Sequence, residues 1–115
     1  MTLYGSTKSS VRYLTDALAE EVKGTAVIVG AFSPGMVVTN LLTGQFEEGS
    51  EEWEEAKRIF NILADRVETV TPWLAEKAYR NKKNGVRFNW LTRGKAISRF
   101  LAAPFNKRDL FKELE

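Results

Sequence analysis

The sequence predicts an α/β fold of two parallel strands with about four helices. Residues 25–32 (T-A-V-I-V-G-A-F) are almost continuously apolar and rich in Val and Ile. That composition suits a strand covered on both faces of a parallel sheet. Residues 86–91 form a second strand-like run, and helical patterns lie before, between and after the two. Strands that alternate with helices are joined by crossovers, which makes neighbouring strands parallel.

Each element has its own local reason. Residues 5–23 carry Val11, Leu14, Leu18 and Val22 at spacings of three and four, one face of a helix. Gly24 stops that helix. Pro34-Gly35 turns the chain after the first strand. Residues 36–50 predict an ordered loop with short helical turns, pivoting on Gly44 and Gly49. Residues 51–65 predict a second helix, with Trp53, Ala56, Ile59, Phe60 and Leu63 on one side. Thr71-Pro72 places a good N-cap before a proline at the first helical position, so a third helix is expected from there to about Asn81. Asn84-Gly85 signals a turn into the second strand. Thr92-Arg93-Gly94 leads into a last helix that ends before Pro104. In this arrangement the inner edge of the first strand is unprotected, and an apolar edge favours pairing with another chain.

Chemistry concentrates at two places. Tyr4 and Lys8 are four residues apart in Y-G-S-T-K, so a helix puts them on one face, one turn apart. An ammonium beside a phenol favours the phenolate, which is the pairing a proton donor and acceptor needs. The second place is S-P-G-M-V-V-T, residues 33–39, directly after a strand. A Pro-Gly turn there lets backbone approach a ligand closely.

Taken together, Y-x-x-x-K followed by P-G-x-V-x-T resembles the second half of a short-chain dehydrogenase/reductase, over Tyr4 to about Leu42. Context carries this resemblance. Tyr79-Arg80-Asn81-Lys82-Lys83 has the same spacing but no Pro-Gly turn after it, and reads as structural. The resemblance implies the C-terminal half of a Rossmann-type doubly wound parallel sheet. It implies NADP or NAD as cofactor and a carbonyl or alcohol substrate. Tyr4 would be the general acid, and Lys8 would support it and bond the cofactor ribose. Pro34, Gly35, Val37 and Thr39 would face the cofactor, with the Val37 backbone on the carboxamide and Thr39 on the carboxamide or pyrophosphate. Residues 41–66 would face the substrate. The alternative for Tyr4 and Lys8 is an exposed Tyr and a solvated Lys at a helix N-terminus.

The family's T-G-x-x-x-G-x-G turn, where a helix N-terminus holds the pyrophosphate, does not occur in these 115 residues. Nor does its N-N-A-G segment, nor a catalytic Ser a dozen or so residues before Tyr4. Residues 1–115 are therefore expected to be a single partial domain without the dinucleotide-binding half, from an enzyme of roughly twice this length. Such a chain is expected to be inactive alone. The competing reading is a non-catalytic fragment or interaction module. In the family the first helix commonly builds a dimer interface, so a homo-oligomer through that helix is expected.

Composition narrows the function classes. With 43% hydrophobic and 28% charged residues the chain is globular in character. It has no Cys and no His, which removes disulfide frameworks, the usual zinc, iron and copper sites, and a His general base. No metal is expected. No apolar run reaches a membrane span and the start does not read as a signal peptide, so a cytoplasmic location is expected.

The net charge of +2 hides an asymmetry. Residues 47–76 hold nine acidic and three basic side chains, and residues 77–115 hold eleven basic and three acidic. The tail interleaves Arg93, Lys95, Arg99, Lys107, Arg108 and Lys112 with Ile97, Phe100, Leu101, Phe105, Leu110 and Phe111. Two readings fit it: a helix packed on the sheet with a solvated basic face, and a segment that touches an anionic membrane surface. No nucleic-acid motif accompanies it, and none is expected as partner. Residues 60–64 (F-N-I-L-A), 86–92 (V-R-F-N-W-L-T) and Lys95-Ala96 resemble the tail of the chlorophyll b reductase-like branch of the family. That resemblance implies a bulky, apolar, tetrapyrrole- or isoprenoid-like carbonyl substrate, for which Trp53 and Phe60 would either line a pocket or form helix core.

Overall fold

The computed structural model describes residues 2–112. The chain runs α1 (Thr2–Glu21), β1 (Gly30–Ser33), α2 (Asn40–Thr43), α3 (Glu51–Leu63), α4 (Val67–Arg80), β2 (Val86–Asn89) and α5 (Arg93–Ala102). The two strands pair in parallel, Gly30 with Val86 through Ser33 with Asn89. This is an α/β segment of Rossmann-like type, with one helix more than expected because the 36–50 loop contains the single turn α2.

Helix α1 starts three residues earlier than its apolar pattern suggests. Hydroxyls of Ser6, Thr7, Ser10 and Thr15 donate to carbonyls four residues back, so its polar residues are satisfied within the helix. Its apolar face meets little of the chain: Val11, Leu14 and Leu18 are exposed, and only Ala19 is buried.

Strand β1 is shorter than the apolar run that announced it. Pairing ends where its partner ends, at the Asn84-Gly85 turn. There the Val29 N–H donates to the Asn84 side chain at 2.9 Å and the Gly85 N–H to the Val29 carbonyl at 2.8 Å. Val27 and Ile28 precede the ladder and are exposed. Phe32 stacks on Phe88 across the pair, with ring centroids 5.5 Å apart. Among the described residues no strand lies on the other side of β1.

Helix α3 is well capped. The Ser50 hydroxyl accepts from the Trp53 N–H at 3.1 Å, and Glu51, Glu52 and Glu54 occupy the first turn, where carboxylates favour the positive helix end. Its inner face builds the core: Phe60, Ala64 and Phe111, packed by Val38, Leu42, Phe46, Trp53, Ala56 and Leu110. Trp53 meets Phe111 edge-on at 5.2 Å. Trp53 and Phe60 are thus core, not pocket lining.

Helix α4 corrects the expected start at Thr71. It begins at Val67, and Pro72 lies inside it. The Thr71 hydroxyl donates back to the Val67 carbonyl at 2.6 Å instead of capping. Val70, in the turn before the proline, is wholly buried. Its burial outweighs the local start signal at Thr71-Pro72, as tertiary packing commonly does with propensity. Helix α5 starts where expected, with the Thr92 hydroxyl accepting from the Lys95 N–H at 3.2 Å.

Candidate functional site

Tyr4 and Lys8 lie on one face of α1, as their spacing requires. The Lys8 ammonium sits over the Tyr4 ring, 5.5 Å from its centroid, and the ring is half exposed. The ties of α1 to the sheet are made further along: Asp16 pairs with Arg87, and the Ala19 carbonyl accepts from Asn84 at 2.6 Å. The competing Tyr79 is fully solvent-facing at the end of α4, and Lys83 lies beyond the helix.

The 34–39 segment is held by backbone. Gly35 takes φ +74°, and a Cβ there would lie 2.7 Å from the Leu91 Cβ, so only glycine fits this turn. Val37 then forms a parallel bridge with Asp65. The Val38 N–H donates to the Asp65 carbonyl and the Asp65 N–H to the Met36 carbonyl, both at 3.0 Å. In a parallel bridge these bonds come from the neighbours of Val37, so the N–H and C=O of Val37 itself point to the opposite side. Thr39 precedes α2 without a side-chain capping bond and is exposed. A backbone N–H donor and C=O acceptor at Val37, with a hydroxyl at Thr39, are groups that can bond the carbonyl and amide of a carboxamide. The residues present fit that group.

A cluster that sequence reasoning missed lies behind this segment. Asp65 is 4% exposed. Its carboxylate accepts from the Trp90 indole at 2.6 Å, from Arg99 at 2.8 Å and from Arg108 at 2.9 Å. Arg99 also donates to the Leu63 carbonyl, and Arg108 to the carbonyls of Ile62 and Ala64. Burial pushes the Asp65 carboxyl up, but the Trp90 bond, the bond and charge of Arg99, and the Arg108 bond outweigh it and hold the group below its ordinary value. The Lys95 ammonium lies over the Trp90 ring, 3.4 Å from its centroid. Burial lowers Lys95, as does repulsion from Arg99 and Arg108, against a smaller opposing pull from Asp65. Arg99 and Arg108 therefore do not belong to the solvated face assigned to the basic tail. The signal was an Asp closing an apolar helix while arginines crowd the tail.

Comparison with known proteins adds what geometry alone does not. A probable chlorophyll(ide) b reductase NYC1, chloroplastic, of Oryza sativa subsp. japonica is 32% identical over 111 residues, covering 96% of this chain and 21% of that protein. The protein of the same name from Arabidopsis thaliana is 36% identical over 90 residues, 78% of this chain and 17% of its own length. The chlorophyll(ide) b reductase NOL, chloroplastic, of Arabidopsis thaliana is 38% identical over 74 residues, 62% of this chain and 20% of its own. The chain is thus similar to these reductases along most of its length, and its tail resembles that of the chlorophyll b reductase-like branch. No family model matches the sequence and no solved structure matches the chain.

Two expectations change with these relatives. The chain spans about one fifth of their length, so they are far longer than the doubling expected. The cytoplasmic location is corrected, because all three relatives carry a chloroplastic name. Lack of cysteine and of a membrane-length apolar run describes how a segment folds, not the compartment to which it is sent.

Proposed function

We propose that this chain is the catalytic and substrate-facing half of an NAD(P)H-dependent reductase that acts on a carbonyl of a chlorophyll b-like tetrapyrrole. The observation that carries the proposal is the Tyr4–Lys8 pair on α1, followed by the Gly35 turn and the outward-facing Val37 peptide. When bound, the nicotinamide supplies a hydride to the carbonyl carbon. The Tyr4 hydroxyl gives its proton to the carbonyl oxygen as that oxygen gains charge, which yields the alcohol. The Lys8 ammonium, held over the Tyr4 ring, bonds the cofactor ribose. Val37 and Thr39 orient the carboxamide. The relatives' printed names support the tetrapyrrole, and their family supports the cofactor class.

The 115 residues contain no glycine-rich pyrophosphate turn, and the chain alone is therefore proposed to neither bind NADPH at micromolar levels nor turn over. A titration followed by nicotinamide fluorescence tests this. A flat response is expected, and saturable micromolar binding contradicts it.

The exposed apolar face of α1 favours a second, compatible reading in which the chain self-associates through Val11, Leu14 and Leu18. Light scattering should show a dimer that Leu14→Glu returns to monomer.

A further inference from the structure

Four large apolar side chains on α5 and the turn after it face solvent. Ile97 is 61% exposed, Leu101 72% and Phe105 91%, with Phe100 half exposed beside them. Residues 97, 101 and 105 recur every four positions, and the helical bonding continues past α5, with Phe105 N–H donating to the Ala102 carbonyl. They therefore form one stripe. The opposite side of α5 is committed inward, through Arg99 to Asp65 and Lys95 to Trp90.

The same segment is rich in cations. Residues 93–112 hold six basic side chains against one acidic. Once Arg99, Arg108 and Lys95 are assigned to the interior, Arg93, Lys107 and Lys112 remain exposed, as does Arg58 on α3. No helix among the described residues is long and apolar enough to cross a membrane, so any bilayer contact made by this stripe is with the surface.

We infer that this face docks on an anionic lipid bilayer. Leu101, Phe105 and Ile97 enter the interfacial region, and the exposed Arg93 and Lys107 at the two ends of the stripe meet lipid phosphates alongside. Apolar side chains rimmed by cations are what an interfacial helix needs, since burial and charge attraction add. A neutral surface satisfies only half of this face.

The test is sedimentation of the 115-residue chain with vesicles of phosphatidylcholine alone and with added phosphatidylglycerol. Binding to the anionic vesicles is expected to exceed that to neutral vesicles at least tenfold. It should fall at least tenfold when ionic strength rises to about 0.5 M, where the Debye length is only a few ångström. Leu101→Glu with Phe105→Glu should abolish it, and both positions are exposed enough that the fold tolerates the change, checked by circular dichroism. Arg93→Glu with Lys107→Glu should remove the preference for anionic lipid. Tyr79→Glu on α4, at a fully solvent-facing position away from the stripe, is the control and should leave binding unchanged.

No binding, equal binding to both vesicles, or binding that survives the α5 changes overturns the inference. So does a dimer in lipid-free buffer that the Leu101 and Phe105 changes dissolve, which would assign the stripe to a second copy of the chain.

Discussion

Arg99 of α5 donates to the Asp65 carboxylate at 2.8 Å, and with Arg108 and Trp90 it closes a buried ring around that single acid. Three donors contributed by the second half of the chain converge on the residue whose peptide also carries the Val37 bridge. The cluster thus couples the fold of the tail to the position of the proposed cofactor-facing segment.

Removing the acid strands two guanidiniums. Asp65→Ala should destabilise the chain by about 3 kcal/mol, the scale of breaking a buried ion pair from one side. Denaturant unfolding followed at the tryptophans measures it. A loss below about 1 kcal/mol would show that the cluster is no more than a surface pair.

The same carboxyl sets an acid limb of stability. Its folded value lies below its ordinary 3.8, so the unfolded chain takes up the proton first. The stabilisation is fully present above pH 3.8 and is lost as pH falls through the lower folded value. Melting temperature should drop steeply in that acid window in the parent and less steeply in Asp65→Asn.

Two glycines with positive φ separate strain from clash. Gly49→Ala meets nothing within 4 Å and should cost about 1 kcal/mol for the left-handed backbone alone. Gly35→Ala adds an overlap with Leu91 at 2.7 Å and should cost clearly more, with loss of the Pro34–Val37 turn. Equal melting shifts for the two would contradict the packing described around Leu91.

Phe111 reaches back into the aromatic core although it lies outside every helix. Phe111→Ala should cost about 3–5 kcal/mol, as for other buried aromatic truncations. A chain ending at residue 109 should lose as much.

What was legible in the sequence was local. The Thr92 cap, the Asn84-Gly85 turn and the apolar face of α3 are each set by residues within a turn of one another. Strand existence was legible too, but strand length was not, because pairing stops where the partner stops. The Asp65 cluster was hidden for the same reason. Its donors lie 25, 34 and 43 residues away, so no window of sequence contains them. Arg99 and Arg108 looked like two more surface cations in a basic tail. Tyr4 and Lys8 were legible as a pair because a helix fixes that spacing. The Thr71-Pro72 signal misled, since the burial of Val70 was invisible from propensity.

The most direct test of the proposed chemistry is turnover by a longer protein, made by putting this chain in place of the matching segment of an Arabidopsis relative. Chlorophyllide b and NADPH would be supplied, with Tyr4→Phe compared against the unsubstituted protein. The account predicts that the substitution lowers kcat at least a hundredfold, the lower scale of general acid catalysis, while the Kd for NADPH stays within about twofold. Turnover unchanged in Tyr4→Phe would contradict Tyr4 as the proton donor.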